Sequence, residues 1–235
     1  MDIMTNNVAI ITAAGFGTRL LGEKKKQFRE LAGIPIIIRT LAFFVNSPYI
    51  NRIIVTAPED EVQYCESLIH EYFEDIQKPY QVIAGGVERQ DSVFGALQIC
   101  PPDTDYVFIH DAVRPFISMS LIQDLYEAVV DFKAVVPCAP CKHTIKQIAG
   151  DVIESTLDRK KLIQAFTPQV FSYDLILSSY MQAYQQELFC TDDAQIVEKS
   201  GTSVSYMLSN DLNIKITNEN DLVLARFIIE KNIVL

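Results

Sequence analysis

The chain has 235 residues, 49% of them hydrophobic, which is enough for one large α/β domain or two small ones. Its formal net charge of −10 argues against general nucleic-acid binding, because that function favours a basic surface. No apolar run reaches membrane-spanning length and residues 1–7 lack the features of a secretory signal, so we expect a cytoplasmic protein with no membrane partner.

Strands and helices alternate in the prediction for the first 136 residues. This alternation predicts an α/β fold with a mostly parallel twisted sheet, right-handed crossovers and helices on both faces. Ligands of such sheets bind beyond the carboxyl ends of the strands. Apolar, β-branched runs indicate strands at 8–12, 50–57, 80–84, 106–110 and 134–136, and the segments between them indicate helices at 35–45, 58–73, 88–98 and 121–130.

The pattern changes after residue 142. Segments 144–148 and 152–156 flank an Ala-Gly-Asp turn and predict a β-hairpin. An isolated two-stranded ribbon is marginally stable, so we expect it to pack on another surface, such as that of a second subunit. We predict a single domain over 1–235 with a protruding arm at about 142–158. The remaining predicted elements are helices near 173–186 and 192–200, strands at 203–208 and 211–217, and a final helix after 218.

A loop rich in glycine and cations follows the first predicted strand. It reads Ala13-Ala14-Gly15-Phe16-Gly17-Thr18-Arg19 and continues to the lysines at 24–26. Leu20 stands where a dinucleotide fingerprint needs its third glycine, and Gly22 is not followed by the Lys-Ser/Thr pair of a Walker loop. Backbone N–H groups beside Arg and Lys suit a polyphosphate, whereas the alternative is an ordinary glycine turn near surface lysines. The position after the first strand favours phosphate binding.

A second loop after a strand begins with Gly85 and Gly86 and leads into Arg89 and Ser92. Its free amides and these two side chains suit the edge of a base or a phosphate. A turn followed by a helix cap would explain the two glycines alone, but it explains Arg89 poorly.

A third loop begins at the end of the fourth predicted strand, with His110, Asp111 and Arg114. An acid at this place suits ligand hydroxyls or a Mg²⁺ ion near phosphates. The alternative for Asp111 is an ion pair with Arg114. We interpret His110 as a core residue, because it lies inside the strand.

Several polar segments do not require a ligand. By itself, Arg159 is a surface arginine paired with an acid. Thr191-Asp192-Asp193 is typical of a helix N-cap followed by acids in the first turn. Lys215 lies in the middle of a predicted strand and is expected to face solvent. Cys138 and Cys141 have redox or zinc spacing, but a second pair is lacking, so we interpret them as incidental thiols.

Taken together, these segments resemble the 2-C-methyl-D-erythritol 4-phosphate cytidylyltransferases of isoprenoid synthesis. The resemblance covers nearly the whole chain and rests on AAGFGTRL…KQF, GGVERQDSV, HDAVRPF, TLDRKKLIQAFTPQVF, TDDA and NIKIT, in that order. It implies a Rossmann-like nucleotidyltransferase fold. It also implies attack of a sugar-alcohol phosphate on the α-phosphate of CTP, with release of pyrophosphate. No general base is required, since the nucleophile is already an anion.

The resemblance implies a role for each matching residue. Arg19 and Lys26 would stabilise charge on the pentacoordinate phosphorus. The CTP contacts would be Ala13, Ala14, Gly15, Phe16, Gly17, Gly85, Gly86, Arg89 and Ser92. The contacts to the sugar phosphate would be Asp111, Arg114, Thr144, Arg159, Thr167 and Lys215.

The resemblance also implies a cofactor and a partner. Mg²⁺, or another divalent cation, would be held mainly by the triphosphate oxygens, near Asp111, and no residue is assigned as its direct ligand. The family is a homodimer with interlocked arms, so Thr144 and Arg159 would serve the neighbouring subunit's site. The ligands would be CTP and a polyol phosphate, with no nucleic acid.

Two alternatives remain open at this point. Related enzymes that make CDP-ribitol from ribitol 5-phosphate share the first three motifs and the NIK segment, and Thr191-Asp192-Asp193 is similar to theirs. The other alternative is a nucleotide sensor without catalysis. The chain also departs from the erythritol family, with Lys25 where Pro usually precedes the catalytic lysine and with His143 where the arm commonly has Asp. Spacing favours Lys26 over Lys24 and Lys25 as that lysine.

Overall fold

The computed structural model describes residues 5–15, 25–210 and 212–233, and these form twelve β-strands and seven α-helices. The strands are β1 (Asn7–Thr12), β2 (Glu30–Leu31), β3 (Ile34–Pro35), β4 (Arg52–Ala57), β5 (Tyr80–Ala84), β6 (Tyr106–Asp111), β7 (Ala134–Pro140), β8 (Lys146–Ala149), β9 (Val152–Thr156), β10 (Ile163–Ala165), β11 (Gln169–Ser172) and β12 (Ser205–Leu208). The helices are α1 (Ile36–Asn46), α2 (Val62–Tyr72), α3 (Arg89–Gln98), α4 (Met119–Phe132), α5 (Tyr173–Gln185), α6 (Asp193–Lys199) and α7 (Glu219–Glu230).

Eight strands form one sheet in the order β10-β7-β11-β6-β1-β4-β5, with β12 paired to β7. The four strands β6, β1, β4 and β5 are parallel neighbours, and β12 is parallel to β7. The predicted α/β fold with a mostly parallel sheet is therefore confirmed. None of the helices in the described residues is both long enough and apolar enough to cross a membrane.

The central strand β1 shows why helices cover both faces of the sheet. Its side chains alternate between the faces, and Val8, Ala9, Ile10 and Ile11 are all fully buried. Val8 and Ile10 belong to a core with residues of α3, α5 and α6, whereas Ala9 and Ile11 belong to a second core with residues of α1, α2 and α4. A continuous apolar run is thus a strand buried on both faces.

Four short strands were not predicted. β11 lies antiparallel between β6 and β7, and β10 is antiparallel to β7. These strands have only three or four residues, and β11 follows Pro168, so neither carries a periodic pattern of its own. Their partners in the sheet determine their conformation. The two-residue strands β2 and β3 are also too short to detect.

The predicted hairpin is confirmed, although its first strand begins at Lys146 rather than at residue 144. Gly150 has a φ of +59° in the turn between β8 and β9, a conformation that glycine adopts without strain. The apolar side chains of Ile148, Val152 and Ile153 are 63% to 69% exposed, so the described chain leaves the arm largely uncovered.

The predicted strand at 211–217 is wrong. Residue 211 lies outside the described residues, and residues 212–217 do not form a strand. The Ile216 N–H donates to the carbonyl of Val113 at 2.9 Å, and the Ile216 side chain is fully buried beside α7. Packing against another loop, rather than ladder formation, therefore holds this segment.

Candidate functional site

A cavity of about 150 Å³ lies at the carboxyl ends of β1 and β6, beside the beginning of α3. This is where parallel α/β sheets bind ligands. It brings together the three loops that the sequence marked. The lining residues are Thr12, Ala13, Ala14, Gly15, Lys26, Gln27, Gly86, Val87, Glu88, Arg89, Ser92, Asp111, Val113 and Lys215.

The first loop begins where β1 ends, and Ala13, Ala14 and Gly15 line the cavity. The Ala13 N–H donates to the Thr56 carbonyl at 2.8 Å, which continues the sheet by one residue. The buried Gln27 side chain donates from Nε2 to the Ala13 carbonyl at 2.6 Å and so joins the lysine segment to the end of β1. The predicted site residues Phe16, Gly17 and Arg19 lie outside the described residues.

The two described lysines of this segment have different surroundings. Lys26 lines the cavity. The ammonium group of Lys25 lies 2.6 Å from the Asp60 carboxylate and 3.8 Å from that of Glu61. Lys24 lies outside the described residues. The geometry therefore supports Lys26 over Lys25 as the residue that faces a ligand.

Close packing explains the two glycines of the second loop. A Cβ atom on Gly85 would lie 2.2 Å from the Cβ of Ala14, and one on Gly86 would lie 2.2 Å from the Cβ of Asp91. The Gly86 N–H donates to Ser92 Oγ at 3.1 Å, so α3 and this loop hold each other. Gly85 itself does not appear among the described lining residues, because it lies under the first loop rather than in the cavity.

Asp111 is the electrostatic centre of the site. Its carboxylate lies 3.3 Å from Arg89 Nε, 3.1 Å from Arg114 Nε and 2.9 Å from Lys215 Nζ. Burial by itself would raise the pKa of Asp111, but the charges of Arg89, Lys215 and Arg114 outweigh it and hold that pKa well below its usual range. Lys215 does not simply face solvent: 38% of its side-chain surface is exposed, but its ammonium group pairs with Asp111 at the cavity wall.

Asp193 is a second acidic partner of Arg89, and the sequence did not reveal this contact. Asp192 is the N-cap of α6 and accepts from the Gln195 N–H, as capping predicts. Asp193, however, is fully buried and accepts from both terminal nitrogens of Arg89, at 3.0 and 2.7 Å. Capping therefore explains only the first of the two acids. The second lies beside Asp192 in sequence, and only the contact with α3 distinguishes them.

Tyr180 completes this buried group. Its hydroxyl donates to Asp193 at 2.5 Å, and burial, followed by the charge of Asp193, raises the pKa of Tyr180 well above its usual value. Burial would lower the pKa of Arg89, but Asp193 and Asp111 hold it well above its usual value. Arg89 is therefore a charged group between two carboxylates.

Arg114 lies behind Asp111 and not among the described lining residues. Besides its contact with Asp111, its Nη1 atom donates to the Asn213 carbonyl at 2.7 Å, and its guanidinium carbon lies 5.5 Å from the centre of the Phe166 ring. Arg114 thus ties the segment that carries Lys215 to the end of β6.

The Thr167 hydroxyl is engaged inside the protein. It accepts from the Asp111 N–H at 3.2 Å and lies 2.9 Å from His110 Nδ1. The Nε2 atom of His110 lies 3.1 Å from the Arg114 carbonyl, which can only accept, so Nε2 carries the proton of the neutral ring. Nδ1 is then an acceptor, and the Thr167 hydroxyl donates to it. Burial lowers the pKa of His110 to about 4. The interpretation of His110 as a core residue is confirmed, because the side chain is fully buried.

Two predicted site residues lie away from the cavity within one chain. Thr144 and Arg159 are both exposed at the base of the arm, and Arg159 donates to the Lys142 carbonyl at 3.2 Å rather than pairing with any acid that the structure describes. Arg159 lines a different depression, together with Lys142 and Lys160. The single chain therefore does not assemble the whole predicted site.

The described residues hold no cluster of three or more His, Cys, Asp or Glu side chains that suits a metal ion. Both Asp111 oxygens accept from side-chain donors, so a cation would compete with Arg89, Arg114 and Lys215 for them. This donor set fits a divalent ion that arrives with ligand oxygens better than one held by protein alone.

Comparisons with known proteins identify the family of the chain. A family model described as "IspD: 2-C-methyl-D-erythritol 4-phosphate cytidylyltransferase" matches residues 7–231. A 2-C-methyl-D-erythritol 4-phosphate cytidylyltransferase from Bacillus thuringiensis (strain Al Hakam) is 38% identical over 216 residues, covering 92% of this chain and 94% of the relative. A bifunctional enzyme IspD/IspF from Desulfotalea psychrophila is 36% identical over 230 residues, which are 97% of this chain and 58% of that protein.

A solved structure has the same fold. The crystal structure of 4-diphosphocytidyl-2C-methyl-D-erythritolsynthase from Anaerococcus prevotii DSM 20548 matches with a TM-score of 0.83 at 29% identity, over 96% of this chain and 99% of that one. The resemblance drawn from the sequence is confirmed. The chain belongs to the 2-C-methyl-D-erythritol 4-phosphate cytidylyltransferase family.

Proposed function

We propose that this protein transfers CMP from CTP to 2-C-methyl-D-erythritol 4-phosphate and releases pyrophosphate, the activity that the names of its relatives describe. The product is the CDP-linked methylerythritol of non-mevalonate isoprenoid precursor synthesis. One observation carries the proposal for this chain: one cavity is lined by the residues that follow β1, by the Gly86 loop, and by Lys26 and Lys215.

The electrostatics of the reaction explain the cations. A phosphate monoester must approach a triphosphate, so two groups of negative charge converge on one phosphorus. Positioned cations reduce this repulsion and stabilise the charge of the pentacoordinate state. Lys26 supplies one cation at the cavity wall, and we assign Arg19 as the second. A phosphate anion is already a nucleophile, so the chain needs no general base.

The nucleotide fits across the first two loops. We place the triphosphate on the amides of residues 13–17 and the cytosine and ribose against Gly86, Arg89 and Ser92, while Gly85 packs the second loop against Ala14. Support comes from Gly85, where a Cβ would lie 2.2 Å from the Cβ of Ala14 in the first loop. The loops therefore approach each other closely enough for one nucleotide to contact both.

The acceptor lies beyond Asp111 in this proposal. Asp111 and Lys215 face the cavity and suit hydroxyls and phosphate, respectively, while Arg114 and Thr167 hold Asp111 from behind. We propose that Thr144 and Arg159 reach the site of a second subunit, because in their own chain they lie at the exposed base of the arm. The protein would then act as a homodimer with exchanged arms.

Mg²⁺, or another divalent cation, is the proposed cofactor. Bound to the triphosphate oxygens, it would neutralise charge and leave pyrophosphate as a better leaving group. Its protein neighbour would be Asp111, provided that Lys215 moves from the carboxylate to a phosphate.

A pyrophosphate-release assay over several nucleoside triphosphates and polyol phosphates tests the function. We expect activity with CTP and 2-C-methyl-D-erythritol 4-phosphate in the presence of Mg²⁺. Activity only with ribitol 5-phosphate would replace the acceptor. CTP binding without pyrophosphate release with any acceptor would favour a nucleotide sensor and refute the enzymatic proposal.

A further inference from the structure

A network of buried polar contacts connects α5 and α6 to the cavity. Tyr180 donates to Asp193, Asp193 accepts two hydrogen bonds from Arg89, and Arg89 Nε donates to Asp111 at 3.3 Å. Arg89 and Asp111 line the cavity, whereas Asp193 and Tyr180 do not. Tyr180 and Asp193 therefore act on a ligand only through Arg89 and Asp111.

The contact between Arg89 and Asp193 fixes the orientation of the Arg89 guanidinium plane. An arginine side chain has several rotatable bonds, and a single hydrogen bond leaves its guanidinium plane free to turn. Two parallel bonds to one carboxylate restrict that plane. Asp193 has no exposed surface and is itself held by the Tyr180 hydroxyl, so the anchor cannot follow Arg89 into the cavity.

The fixed plane has a consequence for the site. Arg89 uses three of its five N–H groups on Asp193 and Asp111, which leaves two for a ligand at a defined position. The same plane holds one oxygen of Asp111, while Arg114 and Lys215 hold the other. Both a nucleotide contact and an acceptor contact thus depend on one orientation.

We propose that Asp193, held by Tyr180, is a positioning residue that orients Arg89 and, through it, Asp111 for the reaction. The inference rests on the proposed function for its kinetic consequence. It adds a role for α5 and α6, which supply no described lining residue.

The first experiment uses Asp193→Asn, which keeps the size of the side chain but cannot accept from both guanidinium nitrogens. We expect kcat/KM for pyrophosphate release to fall about 10- to 100-fold, because small displacements of a positioned group have effects of this size. Arg89→Lys disrupts the same contact at its other partner, because lysine lacks the planar guanidinium group. If the two residues act as one unit, the double variant is no slower than the slower single variant. Losses that multiply would refute the proposal.

The second experiment uses two tyrosines of α5. Both Tyr180 and Tyr184 stack on Phe94, but the Tyr184 hydroxyl donates to Asp91 rather than to Asp193. We expect Tyr180→Phe to lower kcat/KM several-fold and Tyr184→Phe to leave it close to wild type. Equal losses in the two variants would show that only the packing of α5 matters and would overturn the proposal.

A spectroscopic readout separates this inference from the proposed function. The Arg89 Nε–H resonance should exchange slowly with solvent in the wild-type protein and quickly in Asp193→Asn, whatever reaction the protein catalyses. If the wild-type protein releases no pyrophosphate but the resonance behaves in this way, the proposed function fails and the orientation of Arg89 by Asp193 stands. A resonance equally protected in both proteins would refute the positioning role. Circular dichroism and thermal melting confirm that each variant is folded.

Discussion

At the scale of single residues, ionic contacts decide which cations can meet a ligand. Asp111 is almost completely buried and has three cationic partners, of which Lys215 is the most exposed, at 38% of its side-chain surface. Arg89 and Arg114 have additional partners behind the cavity, whereas Lys215 forms its ion pair with Asp111 at the cavity wall. Lys215 is therefore the partner that can move to a phosphate with the smallest structural change.

The pair Lys25 and Lys26 allows a matched test of the proposed catalytic lysine. Lys26→Ala should lower kcat about 100-fold or more and change KM for CTP much less, because an interaction made mainly in the transition state affects kcat. Lys25→Ala should have a small effect on turnover, since Lys25 pairs with Asp60 outside the cavity. Steady-state kinetics of both variants provide the comparison. Equal losses of kcat and CTP affinity in Lys26→Ala would mean that Lys26 binds ground and transition states alike.

His110 gives the folded protein a defined response to acid. Its pKa is lowered to about 4 by burial, from a usual value of 6.5. The unfolded chain therefore binds a proton between pH 6.5 and 4 that the folded protein does not, and the free energy of unfolding falls as the pH falls through this window. We expect a loss on the order of 3 kcal/mol from this group.

Urea unfolding at pH 7 and at pH 4.5, with wild type and His110→Gln, measures this effect. The glutamine variant is expected to be less stable at pH 7 and to lose less stability on acidification. The pKa of Asp111 is lowered well below its usual value of 3.8. The stability that Asp111 contributes is therefore lost in a more acidic range than that of His110. An identical pH dependence in the two proteins would contradict the role of His110.

At the scale of elements, loops after strands form the site because the sheet brings their ends together. β1 and β6 are parallel neighbours, in register from Asn7 with Tyr106 to Thr12 with Asp111. Both loops therefore leave the sheet at one edge. The Gly85 loop joins them because β5 is parallel to β4, which is parallel to β1. Absence of a Cβ at Gly85 then allows contact with Ala14.

Two glycines near each other in sequence should respond differently to the same substitution. Gly85→Ala places a methyl group 2.2 Å from the Ala14 Cβ, so we expect a loss of about 1 to 3 kcal/mol in stability and a higher KM for CTP. Gly95 lies inside α3, where an added Cβ would meet nothing within 4 Å, so Gly95→Ala should stabilise the protein by about 0.5 to 1 kcal/mol. Thermal melting and CTP titrations measure both. Similar effects of the two substitutions would refute the packing argument.

At the scale of the whole molecule, the arm is an element that the described part of one chain leaves largely uncovered. The exposed apolar side chains of β8 and β9 and the separation of Arg159 from the cavity have a common explanation in the proposed arm exchange. In such a dimer each site contains Lys26 of one subunit and Arg159 of the other.

Subunit mixing tests this arrangement. Lys26→Ala and Arg159→Ala are each expected to be nearly inactive alone. After unfolding and refolding together, half of the dimers are mixed and one of their two sites is intact, so activity should return to about a quarter of wild type. If Arg159 acts within its own subunit, mixing restores no activity. Size-exclusion chromatography with light scattering establishes whether each variant is dimeric.

The sequence by itself determined the alternation of strands and helices, the loops that carry the chemistry and the family. It could do so because a strand buried on both faces is continuously apolar, and because glycines and charges directly after such strands are typical of ligand-binding loops. The same local signals could not distinguish Asp192 from Asp193, since Asp192 directly precedes α6 and Asp193 begins it.

Only the tertiary structure decided what the polar side chains contact. It placed Asp193 against Arg89 and Lys215 against Asp111, and it paired the Thr167 hydroxyl with His110 in a hydrogen bond. It also inserted β11 between β6 and β7, although that strand has no pattern of its own. These features depend on partners far away in the chain, and burial makes each partner matter because an unpaired charge or hydroxyl inside the protein costs several kcal/mol.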